Sequence, residues 1–161
     1  MDQVRLNSLE CEICHIIAVE RQAENDKRQL VDRKIANRDS TEIHYQGVIG
    51  EFVVAKYLNI YPDFNTHMRP GSYDLVYRGW TIDVKNRGKY EDMMAPAHKK
   101  IGESDIYIVV HGFNPYEFSG WCFDYELIKD ENFITFTERD SYFLPKYRLY
   151  DMNKLFDIRS K

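Results

Sequence analysis

The sequence predicts a single domain, residues 1–161, of the α/β (α+β) class, in which helices flank a β-sheet. Three segments carry this prediction. Residues 46–60 form an almost continuously apolar stretch of helical length, residues 73–85 alternate between apolar and polar side chains in two short runs, and residues 105–110 read DIYIVV, a pattern typical of a buried strand. A helix, a hairpin and a further strand in this order favour a mixed architecture.

The composition excludes several classes of protein. A chain of 161 residues that is 43% apolar and 30% charged is long enough for a hydrophobic core and unlike a disordered protein. No run of 18 or more apolar residues occurs and residues 1–10 lack a signal-peptide pattern, so we expect no membrane partner. Three cysteines, an odd number, favour a reduced intracellular protein and a cytoplasmic location.

Residues 1–40 predict a helical extension. Apolar residues recur at helical spacing between positions 6 and 17, whereas positions 20–39 are highly charged. Arg21 and its basic neighbours could face a phosphate backbone, but interleaved acids of nearly equal number favour a solvated helix. Dimerisation through this helix stays open. Cys11, Cys14 and His15 do not predict a zinc site, because the sequence offers no second Cys/His pair to complete four ligands.

Residues 46–60 predict a buried helix that carries one acid, Glu51. Gly47 and Gly50 each cost a helix up to about 1 kcal/mol relative to alanine, which the close approach of another backbone or a ligand would justify. A carboxylate in apolar company needs a partner. Glu51 either contributes to a site or lies on an exposed stripe and pairs with Lys56 or Arg69.

Residues 72–87, SYDLVYRGWTIDVKNR, predict a β-hairpin. A turn at Arg78-Gly79 sets a register in which Asp74 lies opposite Asp83, with Cβ atoms about 5 Å apart. Lys85 follows Asp83 by two residues and therefore projects from the same face. The other pairs in this register are Leu75 with Ile82 and Tyr77 with Trp80.

Two carboxylates placed opposite each other repel, so this register needs compensation. A divalent cation such as Mg²⁺ prefers oxygen ligands and would suit metal-assisted phosphodiester cleavage. The alternative is a solvated hairpin whose aspartates pair with Lys85 or Arg87.

The remaining elements follow from short patterns and from turn formers. Pro145 argues against a central strand in its segment, because proline cannot donate a ladder hydrogen bond. The predicted elements are a loop at 61–72, a helix at 93–102, a strand at 105–110, a loop at 111–120, a strand at 121–123, a short helix at 125–129 capped by Asp124, a strand at 133–136, an edge strand or loop at 142–150 and a closing helix at 150–159.

Charge is distributed unevenly along the chain. The net charge is −4, but residues 67–102 contain seven Lys/Arg and four Asp/Glu, which makes this segment +3 and the remainder −7. A local basic surplus suits an anionic polymer. Arg87, Lys89 and Lys99 are candidates for phosphate contacts and His98 for an approach to the site, although a surface or structural role is the favoured alternative for each.

The order of these elements resembles the PD-(D/E)XK nuclease superfamily, the restriction-endonuclease-like fold. A helix with an acid, a strand with Asp74, a turn and the Asp83-Val84-Lys85 strand are followed by a helix and the strand at 105–110. The resemblance covers 46–110 as an αββαβ core, with 111–161 as remaining strands and closing helix. It implies a central mixed β-sheet flanked by helices. Segments 121–128 and 142–145 are similar to phage and prokaryotic members. Tyr73 departs from the motif, which has proline there.

The resemblance also implies roles for five residues. Asp74 and Asp83 match the two acidic motif positions and would bind the metal, with the main-chain carbonyl of Val84 as a further ligand. Lys85 matches the motif lysine, which would orient or activate the attacking water and stabilise charge on the phosphate. Glu51 matches the helical acid of many members and would complete the ligand set, directly or through water.

The function implied is a metal-dependent deoxyribonuclease that hydrolyses DNA phosphodiester bonds by attack of a metal-activated water. Its cofactor would be Mg²⁺, with Mn²⁺ as a substitute, and its setting the cytoplasm of a bacterial or phage-infected cell. A homodimer would suit double-strand cleavage. One alternative is a non-catalytic nucleic-acid-binding or assembly protein that retains the nuclease fold, and another is a hydrolase of RNA or nucleotides.

Overall fold

The computed structural model describes residues 3–27, 40–67, 71–135 and 138–161, and these form a mixed α+β fold. The helices are α1 (Ser8–Lys27), α2 (Ser40–Leu58) and α3 (Asp124–Leu127). The strands are β1 (Gln3–Val4), β2 (Leu75–Tyr77), β3 (Trp80–Asn86), β4 (Met93–Pro96), β5 (Ile106–Gly112), β6 (Tyr116–Phe123), β7 (Phe133–Thr135) and β8 (Asp140–Leu144). Short 3₁₀-helices span Asp130–Asn132, Lys146–Arg148 and Met152–Asp157.

The larger sheet is mixed and has the strand order β1-β6-β5-β3-β2. Strand β3 pairs antiparallel with β2 and parallel with β5, and β6 pairs antiparallel with both β5 and β1. Helices α1 and α2 pack on each other, and α2 packs on β3. Apolar side chains of both helices and of one sheet face form the main core, so the expectation of a mixed sheet flanked by helices is confirmed at this level.

A second sheet, with the order β4-β8-β7, accompanies a smaller apolar cluster at the opposite face of β5. Successive side chains of β5 belong alternately to the two cores. Ile106, Ile108 and Val110 belong to the main core, whereas Tyr107 and Val109 belong to the smaller cluster. This alternation explains why β5 reads as continuously apolar, since a strand buried on both faces needs no polar side.

The hairpin and the helix with Glu51 are confirmed. Helix α2 begins at Ser40, before the predicted start, and the hairpin has the predicted register, with Leu75 opposite Ile82 and Tyr77 opposite Trp80. Both turn residues have positive φ, 52° at Arg78 and 84° at Gly79, as in the type I′ turns that match the twist of paired strands. The strand predicted at 105–110 is β5, which continues to Gly112.

The helix predicted at 93–102 is wrong, because this segment begins with strand β4. Met93 and Ala95 point into the smaller core on alternate positions, and β4 pairs with β8. The edge strand or loop predicted at 142–150 is wrong for residues 142–144, which belong to the central strand of the second sheet, whereas residues 145–150 lie outside the strands and include the 3₁₀-helix Lys146–Arg148. Strand β8 lies between β4 and β7, and Pro145 follows its last residue, where it removes no ladder hydrogen bond.

Other boundaries differ as well. The loop predicted at 111–120 is mostly strand, because β5 and β6 extend toward each other across a short connection at 113–115. The closing helix is the 3₁₀-helix Met152–Asp157, and the short helix begins at Asp124 itself, with Phe123 as its N-cap. Strand β7 ends at Thr135, and the prediction for residue 136 lies outside the described residues.

The N-terminal segment is built into the core. Strand β1 extends the larger sheet at β6, where a helix was predicted, and Cys14, Ile17 and Ala18 of α1 are buried. The prediction of helix at 28–39 lies outside the described residues. In the described part of the chain, no helix combines the length and apolarity needed to cross a bilayer.

Candidate functional site

The two aspartates of the hairpin lie close to each other, although the ladder pairs end before Asp74. The ladder ends at Leu75 and Ile82, and the next backbone bond runs from the Asp74 amide to the Ile82 carbonyl, 2.8 Å. The Asp74 carboxylate then takes the place of a ladder acceptor, because its Oδ2 accepts a hydrogen bond from the Val84 amide at 2.7 Å. This bond orients the Asp74 side chain toward β3. It also gives Val84 a structural role through its amide.

Helix α2 brings a third carboxylate to the hairpin. A Cβ at Gly50 would lie 3.0 Å from Asn86 Cβ and 3.2 Å from Val84 Cγ1, so the absence of a side chain allows the helix to approach β3 closely. Glu51 follows directly and is only 6% exposed. A buried carboxylate requires compensation by hydrogen bonds or opposite charge.

Arg21 of α1 provides that compensation. Its Nη1 lies 3.0 Å from Oε1 and 3.2 Å from Oε2 of Glu51, and both side chains are largely buried. The same guanidinium donates through Nε to the Asn65 carbonyl at 3.1 Å and through Nη2 to the Asp63 carbonyl at 3.4 Å. Arg21 therefore joins α1, α2 and the loop after α2 at one point.

The role of Arg21 was not predicted. The sequence favoured a solvated helix for Arg21, and the alternative to a site role for Glu51 was pairing with Lys56 or Arg69. Lys56 instead pairs with Glu10 at 2.8 Å, and Arg69 lies outside the described residues. The only sequence signal for an arginine partner was the requirement that a buried acid be neutralised, and that requirement does not say where in the chain the partner lies.

Two lysines approach Asp83, which is 2% exposed. Lys85 Nζ lies 2.5 Å from Oδ1 and Lys99 Nζ lies 2.8 Å from Oδ2. The Lys85 contact lacks the angles of a hydrogen bond, and Oδ1 has no hydrogen-bond partner among the residues described. The predicted proximity of Lys85 and Asp83 is therefore confirmed, and Lys99, predicted to contact phosphate, lies inside the site.

Asp74 is the acid whose ionisation the site opposes. Desolvation raises the pKa of Asp74, the negative charges of Asp83 and Glu51 raise it further, and the Val84 amide and Lys85 act in the opposite direction; the result is about 7. The influence of both other acids indicates that the three carboxylates form one electrostatic cluster. With Arg21, Lys85 and Lys99 the cluster contains three acids and three bases.

The donor set fits a hard divalent cation in its chemistry. Carboxylate oxygens are the preferred ligands of Mg²⁺, and Asp83 Oδ1 is a buried oxygen for which no described residue supplies a hydrogen bond. In the described part of the chain, however, no three Asp, Glu, His or Cys side chains are arranged to hold a metal ion together. Asp74 and Asp83 are the residues that would hold a cation first, while Glu51 is engaged by Arg21.

The remaining candidates lie around this cluster. Arg87 is half-buried, donates through Nε to the Asp92 carbonyl at 3.3 Å and stacks over Tyr90. Lys89 is exposed and also lies over Tyr90, 5.3 Å from the ring centroid. His98 is exposed in the turn after β4. Lys85 and Lys99, by contrast, each form an ion pair with Asp83.

Comparison with family models matches residues 4–124 to a family of unknown function, DUF5843. This match includes α1, α2, the hairpin, β5 and β6, and therefore all six residues of the cluster. Searches of the curated proteins and of the solved structures found no match.

Proposed function

The chain belongs to the DUF5843 family of unknown function, and from its site we propose that it is a metal-dependent deoxyribonuclease. It would hydrolyse DNA phosphodiester bonds with Mg²⁺, for which Mn²⁺ could substitute. The observation that carries the proposal is the closeness of Asp74 and Asp83 at the end of one hairpin, where the Val84 amide holds the Asp74 carboxylate and the charges of Asp83 and Glu51 both raise the pKa of Asp74. Ordinary surface pairing does not require three buried or half-buried acids.

We propose further that α2, β2, β3 and β5 form a restriction-endonuclease-like core. Helix α2 packs on β3, β3 runs parallel to β5, and the acids come from the helix and from both hairpin strands. The helix expected between β3 and β5 is absent from the described residues, where β4 and turns make the connection. The proposal therefore concerns the unit that carries the acids.

Each residue has a distinct task in this proposal. Asp74 and Asp83 would hold the cation, and the Val84 amide fixes the orientation of the Asp74 carboxylate. When bound, the cation would polarise a phosphoryl oxygen and acidify water, which are the two contributions that make a phosphodiester reactive. Lys85, on the Asp83 face of β3, would stabilise the negative charge that grows on the phosphate.

The experiment compares cleavage by the wild type with Asp83→Asn on duplex, single-stranded and branched DNA and on RNA, with Mg²⁺, Mn²⁺ or EDTA. We expect cleavage of DNA only with metal, and a loss of about 100-fold or more in Asp83→Asn. Asp157→Asn, at an exposed aspartate of the last 3₁₀-helix, is the matched control and should cleave like the wild type. An inactive wild type, or full activity of Asp83→Asn, would refute the proposal.

A second candidate is a non-catalytic DNA-binding or assembly protein with the same fold. The observation in its favour is that the cluster is balanced by the protein itself, since Arg21 neutralises Glu51 and two lysines approach Asp83. Calorimetry separates the two candidates. Uptake of Mg²⁺ or Mn²⁺ that disappears in Asp83→Asn favours the nuclease, and no uptake favours the binding protein.

A further inference from the structure

A second group of charged side chains lies where β3 and β5 end. The Arg87 amide donates to the Val110 carbonyl at 2.8 Å, and the Gly112 amide donates to the Gly88 carbonyl at 2.7 Å. These two bonds fix the loop after β3 against the end of β5. As a result, Glu91 of this loop lies beside His111 of β5.

The carboxylate of Glu91 is held by two cationic or potentially cationic groups. Lys146 Nζ lies 2.5 Å from Glu91 Oε1, and His111 Nε2 lies 3.6 Å from the same oxygen. The backbone amide of Lys146 donates to Asp92 Oδ1 at 2.9 Å, so the segment that follows β8 is anchored to the same loop. The hydrogen bond from Lys146, together with the influence of His111, lowers the pKa of Glu91.

His111 is the unexplained member of this group. Its residue exposure is 7%, and its Nε2 atom is buried without a hydrogen-bond partner among the described residues. A buried polar atom without a hydrogen-bond partner is destabilising, because its loss of hydration is not compensated. The carboxylate at 3.6 Å is too distant for a hydrogen bond and leaves the imidazole unsatisfied.

The group continues the face of the sheet that carries the candidate site. Lys85 is paired with Val109 across the parallel strands, and Arg87 and His111 follow these two residues by two positions each. Because side chains alternate along a strand, Arg87 and His111 start from the same face as Lys85, about 7 Å farther along. A polyanion bound at Asp83 and Lys85 and extended along the strands would reach this group.

We propose that Lys146, His111 and Arg87 form a second phosphate-binding subsite for the DNA backbone, which Glu91 occupies when DNA is absent. The identity of the ligand as DNA rests on the proposed function, whereas the positions of the side chains are independent of it. A phosphate offers several acceptor oxygens and could satisfy Lys146 and the unpaired His111 Nε2 together, which the distant Glu91 carboxylate does not do. The Glu91 side chain is 47% exposed and is therefore able to turn toward solvent when a phosphate replaces it.

The test measures DNA binding by fluorescence anisotropy in EDTA, where no cleavage occurs, over a series of salt concentrations. Glu91→Gln should bind a DNA oligonucleotide about threefold to tenfold more tightly than the wild type, because the competing anion is removed. The slope of log K against log salt should become steeper, because the subsite carries one more net positive charge beside the DNA. Lys146→Gln should weaken binding and make that slope shallower by about one.

The matched control is Glu10→Gln. Glu10 is also paired with a lysine, Lys56 at 2.8 Å, but it lies on α1, which packs on the opposite face of the larger sheet. This variant removes the same unit of charge and should change affinity by less than twofold. Circular dichroism melting of every variant checks that each one is folded.

The outcomes separate this inference from the proposed function. Equal affinity changes in Glu91→Gln and Glu10→Gln would overturn the subsite, while DNA cleavage by the wild type would still support the nuclease. Tighter binding in Glu91→Gln alone supports the subsite even if no cleavage is found with any metal. A wild-type protein that does not bind DNA would overturn both.

Discussion

Asp74 lies near two other carboxylates, and the protonation of its side chain can be measured directly. Burial and the charges of Asp83 and Glu51 raise its pKa to about 7, from an ordinary value of 3.8. The folded protein without metal therefore holds this proton more tightly than the unfolded chain does. The contribution of Asp74 to stability is fully present below about pH 4 and is lost as the pH rises to about 7.

Because ionisation of Asp74 destabilises the folded protein, Asp74→Asn should change how stability depends on pH. The amide cannot ionise but keeps an oxygen that can accept the hydrogen bond from the Val84 amide. In EDTA, we expect the melting temperature of the wild type to fall more steeply between about pH 4 and pH 7 than that of the variant. Differential scanning calorimetry across this range measures both, and parallel curves would show that Asp74 does not titrate differently in the folded protein.

Arg21 is a residue of the site whose role could not be predicted from the sequence. Its importance comes from three contacts, with Glu51 and with two carbonyl groups of the loop after α2. Nothing in the charged pattern of α1 distinguishes Arg21 from its basic neighbours. The proximity of the hairpin acids, by contrast, was predictable, because a two-residue turn sets the register of the two segments that carry them.

At the scale of elements, the packing of α2 on β3 positions Glu51 relative to the hairpin. The two glycines of α2 differ in this respect. An added Cβ at Gly50 would meet Asn86 Cβ at 3.0 Å, whereas at Gly47 it would meet nothing within 4 Å. The same chemical change at these two positions therefore separates helix propensity from helix–strand contact.

We predict opposite effects for the two alanine variants. Gly47→Ala should raise the free energy of unfolding by up to about 1 kcal/mol through helix propensity alone. Gly50→Ala should lower it by about 1–3 kcal/mol, because the helix must move away from β3. Urea unfolding followed by circular dichroism measures both. If both variants gain stability equally, the close approach of α2 to β3 is not tight enough to constrain the site.

The elements predicted well are those whose pattern is local. The apolar run of α2, the alternation of the hairpin and the doubly buried β5 are all visible in consecutive residues. The segment that contains β4 was predicted as a helix because Met93, Met94 and Ala95 are compatible with one. Only pairing with β8, far along the chain, makes it a strand. Strand β8 was not predicted as a central strand because one of its two partners, β4, lies far away in the sequence.

At the scale of the whole molecule, α1 is an integral part of the main core. Cys14, Ile17 and Ala18 are buried against α2 and the larger sheet, and β1 pairs with β6 before the helix begins. Because α1 also carries Arg21, stability and the candidate site share this helix. Residues 3–27 are therefore part of the fold and not an appendage to it.

Neighbouring isoleucines of α1 provide the corresponding prediction. Ile17 is 4% exposed and Ile16 is 55% exposed. Ile17→Ala should cost about 2–5 kcal/mol of unfolding free energy, and Ile16→Ala should change it by no more than about 0.5 kcal/mol. Equilibrium urea unfolding tests this pair. Similar small losses in both would mean that α1 is docked only weakly on the rest of the protein.

The sequence by itself determined the α2 helix, the hairpin register and the convergence of Asp74, Asp83 and Lys85, because these depend on periodicity and on a turn of two residues. Only the tertiary structure decided which cations meet the acids, how β4 and β8 pair and where His111 and Glu91 lie. These depend on contacts between residues that are far apart in the chain. Neutralising a buried charge requires a partner in space, and sequence distance places no limit on where that partner comes from.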